Sequence, residues 1–385
     1  MLVCLASGAS FSRGPNTDRG SPVWHKAIVP VLKRDNGLNA VLIDSNRAGV
    51  VFFDEDRLVV YAVDQEIGQL SSRRSPEISS PFRLNIWIVD VSSGAIQAHR
   101  DVGTRIYDSS VQVAGGTLLV KTAGTVRAYS PDLAKSHDVP LALDPNVRLL
   151  MTVSPTGKTI MLDRPPKKYL LGEMNHVDVL DARSFEIRYS WKESPLLGQS
   201  YSISDQAIAA KRDDSIEVAD FATGKWVRVG IPSGVCFAQN IPTFCNDDEL
   251  VYSCDKFIVA STTGKILMED AFRKGDGASG KTATARNGRF VAVSIDTIKI
   301  SKHIFTEAHW GVVDTHINVY DLSLRRSVAS IEVKPLPKND YDLALSPSGS
   351  KLALLNDRDV SVYELSPSVL NSSTSDPPAT LKGGN

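Results

Sequence analysis

Three observations in the 385-residue sequence predict an all-β fold of seven similar units. A short apolar run that ends in an acidic or small polar residue, followed by a turn, recurs seven times. A tight-turn tetrapeptide precedes most copies, in phase with them. The apolar residues between turns alternate with period two, the mark of strands, and helical periodicity is not sustained anywhere. A repeat near 40–45 residues, with about four short strands in each copy, implies sheets set radially around an axis, a seven-bladed β-propeller.

The units follow in order. The first has the turn Asp54-Glu-Asp56, the run Arg57–Val63, and Ile88-Val89-Asp90 before Val91-Ser-Ser-Gly94. The second has an abbreviated turn, Ala114-Gly-Gly116, and ends in Ala128-Tyr129-Ser130. The third has Ser154-Pro-Thr-Gly157 and Val179-Leu180-Asp181. The fourth has Ser204-Asp-Gln206 and Val218-Ala219-Asp220 before Phe221-Ala-Thr-Gly224. The fifth has Asn246-Asp-Asp248 and Val259-Ala260-Ser261 before Thr262-Thr-Gly264. The sixth has Ala285-Arg-Asn-Gly288, the run Arg289–Val293 and Val319-Tyr320-Asp321. The seventh has Ser346-Pro-Ser-Gly349, the run Lys351–Leu355 and Val362-Tyr363-Glu364. Pro and Gly set the turn dihedrals, while Asp, Asn and Ser accept local backbone bonds. Each unit reads as strand A, turn, strand B, loop, strand C, turn, strand D, with the acidic residue closing C.

The last unit lacks an obvious D strand. Residues 26–33 (KAIVPVLK) are the natural candidate to supply it. Such closure by an N-terminal strand would cover an otherwise bare edge. The expected organisation is 1–22 as a signal-peptide remnant or disordered N-terminus, 23–367 as one propeller domain, and 368–385 as a disordered polar tail. Leu2–Ala6 followed by Ser7-Gly8-Ala9-Ser10 looks like the back half of a secretory signal, without its basic n-region. Secretion or periplasmic export is the leading expectation, a cytoplasmic location the other. Cys236, Cys245 and Cys254 form no metal spacing. A Cys245–Cys254 bridge is out of register by roughly 13 Å, so buried reduced cysteines are expected.

The Ser-Pro-x-Gly turns, and the apolar-apolar-Asp-apolar-x-x-Gly elements around Asp90 and Asp220, resemble bacterial WD40-like and YVTN-type propeller repeats. The resemblance spans roughly residues 48–367. It implies the architecture and does not choose among scaffolds, ligand binders and enzymes. The Gly-His and Trp-Asp dipeptides of true WD40 repeats are missing, and Trp87 lies within its strand.

Composition narrows function. Net charge is −1 and pI near 6.7, so there is no basic field for nucleic acid. No apolar run of about 18 residues is present, so no transmembrane helix is expected. The Asp ladder (Asp90, Asp181, Asp220, Asp321) is expected to close turns rather than bind metals. The irregularities carry more information. Three B–C connections exceed the repeat: 65–82, 164–176 and 301–316. B–C loops leave a blade on one face, and long loops concentrate function. They carry Arg73, Arg74, Lys167, Lys168, Tyr169, Lys302, His303, His309 and Trp310, a mixture of cations and aromatics suited to a protein partner or a small anionic or sugar-like ligand. The spacings of His303, His309 and His316 match no metal motif, and no nucleophile or phosphate-loop motif occurs. The expected protein is a monomeric, noncatalytic interaction module without a cofactor. The alternative is a propeller enzyme of the lactonase, lyase or quinoprotein kind at the mouth of the central channel.

Overall fold

The computed structural model describes residues 21–29, 48–65, 82–104, 109–122, 125–139, 149–164, 174–193, 201–212, 215–229, 242–301, 309–337 and 341–365. Among them all regular structure is β, in seven four-stranded antiparallel sheets. In chain order, β1 is Trp24–Ala27. Blade 1 is β2 (Ala48–Phe52), β3 (Arg57–Gln65), β4 (Phe82–Asp90) and β5 (Ile96–Thr104). Blade 2 is β6 (Ser110–Ala114), β7 (Thr117–Thr122), β8 (Thr125–Tyr129) and β9 (Ser136–Asp138). Blade 3 is β10 (Leu150–Val153), β11 (Thr159–Arg164), β12 (Asn175–Asp181) and β13 (Ile187–Glu193). Blade 4 is β14 (Tyr201–Ile203), β15 (Ala207–Arg212), β16 (Ser215–Asp220) and β17 (Trp226–Val229). Blade 5 is β18 (Thr243–Phe244), β19 (Glu249–Ser253), β20 (Lys256–Ser261) and β21 (Ile266–Ala271). Blade 6 is β22 (Asp276–Thr284), β23 (Phe290–Ser301), β24 (His309–Asp321) and β25 (Arg326–Glu332). Blade 7 is β26 (Tyr341–Leu345), β27 (Lys351–Asn356), β28 (Asp359–Glu364) and β1.

The ring follows from how the strands bury both faces. In β3, Leu58, Val60 and Ala62 pack into the interface with blade 7, while Val59 and Val63 pack into the interface with blade 2. In β27, Leu352 and Leu354 face blade 6 and Ala353 and Leu355 face blade 1. Alternation on a strand buried on both sides gives the continuous apolar runs seen in the sequence. The hydrophobic clusters each join two consecutive blades, and together they link all seven in a circle. The outer strands are mostly exposed, as in β5 and β17.

The fourth strand of blade 7 is β1, running antiparallel to β28 from Trp24↔Val362 to Ala27↔Asp359. It overlaps the expected stretch 26–33 at Lys26 and Ala27, and residues 30–33 lie outside the described set. Trp24 donates its indole N–H to Val91 O at 2.6 Å, tying blade 7 to blade 1.

The cysteines correct one expectation. Cys245 is free and buried, and burial pushes its thiol up. Cys254 is instead disulfide-bonded, to a partner outside the described residues. The register argument addressed a bridge between Cys245 and Cys254, and the free Cys245 agrees with it.

Candidate functional site

The two faces of the disc differ in what their polar groups do. On the A–B face, turns are closed locally and then bonded to the next blade. The tetrapeptides Ser154–Gly157, Ala285–Gly288 and Ser346–Gly349 each close with the fourth N–H donating to the first carbonyl, at 2.9, 2.9 and 2.8 Å. Gly349 sits at φ +76°, and a Cβ there would lie 2.3 Å from the Phe290 ring of blade 6, so only glycine fits. The turns also reach sideways. Ser154 and Thr156 of blade 3 donate to Asp205 of blade 4 at 2.7 and 2.8 Å. Asp205 N donates to Asp247 of blade 5 at 2.9 Å. Asn287 of blade 6 donates to Ser348 O at 2.7 Å, and Ser348 N donates to Glu55 of blade 1 at 2.5 Å. Gly115 N of blade 2 donates to Gly157 O at 2.7 Å. Much of this face satisfies itself through contacts between neighbouring blades.

The Asp ladder lies on the same side, at the C–D turns, and does what its position implied. Asp90 accepts Ser93 N at 2.9 Å, and Asp181 accepts Arg183 N and Ser184 N at 2.9 and 3.0 Å. Asp220 accepts Thr223 N at 3.0 Å. Asp321 accepts Ser323 N at 2.9 Å and the Arg289 guanidinium at 2.6 Å. Bonds from Ser92 and Ser93 hold the Asp90 carboxyl below the usual range, and bonds from Ser184 and Arg183 do so for Asp181. Burial opposes the same shift at Asp321, but the Arg289 and Ser323 bonds outweigh it. Where the ladder residue is serine, its hydroxyl accepts one N–H from the far side of the turn instead. Lys135 N donates to Ser130 Oγ at 2.9 Å and Lys265 N to Ser261 Oγ at 3.1 Å.

The B–C face carries the long connections. Arg73, Arg74, Lys167, Lys168, Tyr169 and His303 lie outside the described residues, as does Lys302. His309 and Trp310 are placed by their backbones, opposite Ser301 and Ile300 in the first rungs of β24. This corrects the expectation of a loop over 301–316. β23 and β24 run to 12 and 13 residues, leaving 302–308 between them. The β-branched and aromatic residues Ile298, Ile300, Trp310, Val312 and Val313 favour the extended ladder. Blade 6's flanking ladders end at Asp276↔Thr297 and His316↔Glu332. Past those rungs, Ile298–Ser301 against His309–Val312 continues as a two-stranded ribbon on the B–C side, with Val312 46% and Val313 43% exposed.

The stem of the blade 3 connection holds a polar cluster that mimics a nucleophilic triad. His176 Nε2 lies 3.0 Å from both Ser190 Oγ and Asp178 Oδ1, and Ser190 Oγ donates to Asp178 at 2.7 Å. One ring nitrogen faces both partners, so the imidazole does not bridge them as a proton relay requires. Arg164 also pairs with the buried Asp178. The cluster is an ion-pair network on the sheet. Among the described residues no group of three or more His, Cys, Asp or Glu could hold a metal ion.

The axis contains a feature the sequence reading missed. Inner strands of blades 1, 2, 3, 6 and 7 and the turns that follow them line an open cavity of about 330 Å³. Gln112, Ser154, Thr282, Thr284, Arg286 and Asp342 supply its polar lining. One arginine and one aspartate are the charged residues lining it. The one sequence signal for Arg286 is its place in an A–B turn where the corresponding turns have Pro155 and Pro347.

No family model and no curated protein match the chain. Among solved structures it is similar to the C-terminal WD40 domain of Sif2, with a TM-score of 0.44 and 12% identity over 84% of this chain and 96% of that one. A likeness this distant says nothing about what the chain binds. The propeller assignment rests on the strand order and the closed circle of interfaces. Among the described residues no helix is long and apolar enough to cross a membrane.

Proposed function

We propose that this propeller is a noncatalytic interaction module that binds through its B–C face. Its ligand there is a protein partner or a small anionic or sugar-like molecule, gripped by the cations and aromatics of the connections in blades 1, 3 and 6. The observation that carries this reading is the contrast between the faces. The A–B face bonds to itself, whereas the B–C face bears the connections 66–81 of blade 1 and 165–174 of blade 3 and, in blade 6, a ribbon with two exposed valines. Exposed apolar residues beside cations suit a protein partner. Export to an oxidising compartment fits the disulfide at Cys254, since such bonds persist there and are rare in reducing ones.

The test is affinity capture with the whole chain. Replacing Arg73, Arg74, Lys167, Lys168 and Trp310 by Ala is expected to abolish capture while leaving stability within about 1 kcal/mol. A control variant, Asp56→Ala on the A–B face, is expected to capture normally. Capture by the five-residue variant at the wild-type level would move the binding surface elsewhere.

A further inference from the structure

We propose that the central cavity is a binding site for a small monocarboxylate, whose charge is held by Arg286 at the A–B end. This site is on the axis and is independent of the B–C face.

The chain positions Arg286 with little freedom. Gly288 N closes its turn on Ala285 O at 2.9 Å, and the next residue bonds blade 7 twice, Asn287 N to Pro347 O at 3.1 Å and Asn287 Nδ2 to Ser348 O at 2.7 Å. The turn is therefore pinned, and the arginine reaches past blade 7 to blade 1. There Nη2 donates to Phe52 O at 2.8 Å. A guanidinium has five N–H donors in a planar fork. The structure gives the other donors of Arg286 no protein partner among the described residues.

The carboxylates nearest to it are engaged elsewhere. Asp54 accepts Arg57 Nε at 2.8 Å, and Glu55 accepts Ser348 N at 2.5 Å. They act on Arg286 through space, and burial outweighs them, pulling its pKa down. The side chain remains a cation at any working pH. A half-buried cation with unused donors calls for an anion, and a carboxylate matches the fork in two parallel bonds.

At the other end Asp342 accepts Val50 N at 3.0 Å, and burial pushes its carboxyl up. Arg286 is the one cation among the residues lining the cavity, so a single carboxylate is the charge this site matches. The volume, near the small end of the roughly 300–1,000 Å³ range for ligand pockets, has room for a short hydroxy acid.

The test is calorimetric or ligand-observed NMR titration of the full chain with L-lactate, lactamide and inorganic phosphate. Lactate is expected to saturate, with lactamide at least about tenfold weaker for want of the charge-assisted bonds. Arg286→Gln is expected to bring lactate down to the lactamide level while leaving lactamide unchanged, which a purely structural arginine would not do. Arg286→Lys keeps the positive charge without the planar fork, and is expected to weaken lactate several-fold even if Arg286→Gln fails to fold. Equal binding of lactate and lactamide, no saturation by lactate below about 50 mM, phosphate binding tighter than lactate, or full lactate binding by either folded variant would overturn the proposal.

Discussion

Asp321 is the ladder residue whose removal should cost most. Its side chain is 0% exposed and pairs with Arg289, which is 25% exposed, at 2.6 Å. It also accepts Ser323 N at 2.9 Å, Ser323 Oγ at 2.6 Å and Leu324 N at 3.3 Å. Asp321→Ala removes the buried carboxylate from the guanidinium and leaves the turn N–H groups without their acceptor. Breaking a buried ion pair from one side costs about 3–5 kcal/mol. The partial exposure of Arg289 places this case at the lower end, about 3 kcal/mol. Asp220 offers the contrast, an exposed carboxylate closing its turn through Thr223 N at 3.0 Å. Asp220→Ala should cost about 1 kcal/mol or less. Urea unfolding at neutral pH, followed by tryptophan fluorescence, reads the difference between the two variants. Equal losses would refute the reasoning that burial, and not sequence position in the repeat, sets what each ladder residue contributes. The pH dependence has a definite sign. Asp321 titrates lower when folded than when unfolded. Its contribution is therefore full above the unfolded value of about 3.9 and is lost as pH falls through the folded value. The gap between wild type and Asp321→Ala should hold from neutral pH down to about pH 5 and narrow below that.

Other outcomes follow from the same contacts. Gly115→Ala places a Cβ 2.3 Å from Ala182 O of blade 3 at φ +58°, and should cost about 2 kcal/mol or more in melting experiments. Trp24→Ala removes the bond to Val91 O and the packing of the indole over Gly94, and should cost about 3 kcal/mol. Deleting residues 1–46 removes β1 altogether and should yield an insoluble or strongly destabilised protein; a soluble product with unchanged melting would refute a closing role for that strand. Peptide mapping without reductant should recover Cys254 in a disulfide, and Cys254→Ser should cost about 2–5 kcal/mol.

The blade architecture was legible because its determinants are local. A Ser-Pro-x-Gly turn and an Asp that accepts the next backbone N–H are complete within a few residues, so spacing alone exposes them. The same locality covers serine at positions 130 and 261, whose hydroxyls accept an N–H from later in the same turn, at Lys135 and Lys265. What the sequence hid depends on contacts between blades. The Arg286 bond to Phe52 spans 234 positions, and nothing in either segment announces the other. The excess length of unit six points equally to a long loop or to longer strands, and the structure has the longer strands, with a bulge between Thr297 and Ile298 letting the ladder run on. The cations of the long connections were legible as residue types, and their arrangement in space lies outside the described residues.

The direct test of the central claim is hydrogen–deuterium exchange on the full chain, with and without the protein captured by it. Binding through the B–C face predicts protection in 66–81, 165–173 and 302–308 and along Ile298–Val312, with the turns at 154–157 and 346–349 unchanged. Protection confined to those A–B turns, with the three connections exchanging as in the free protein, would contradict it.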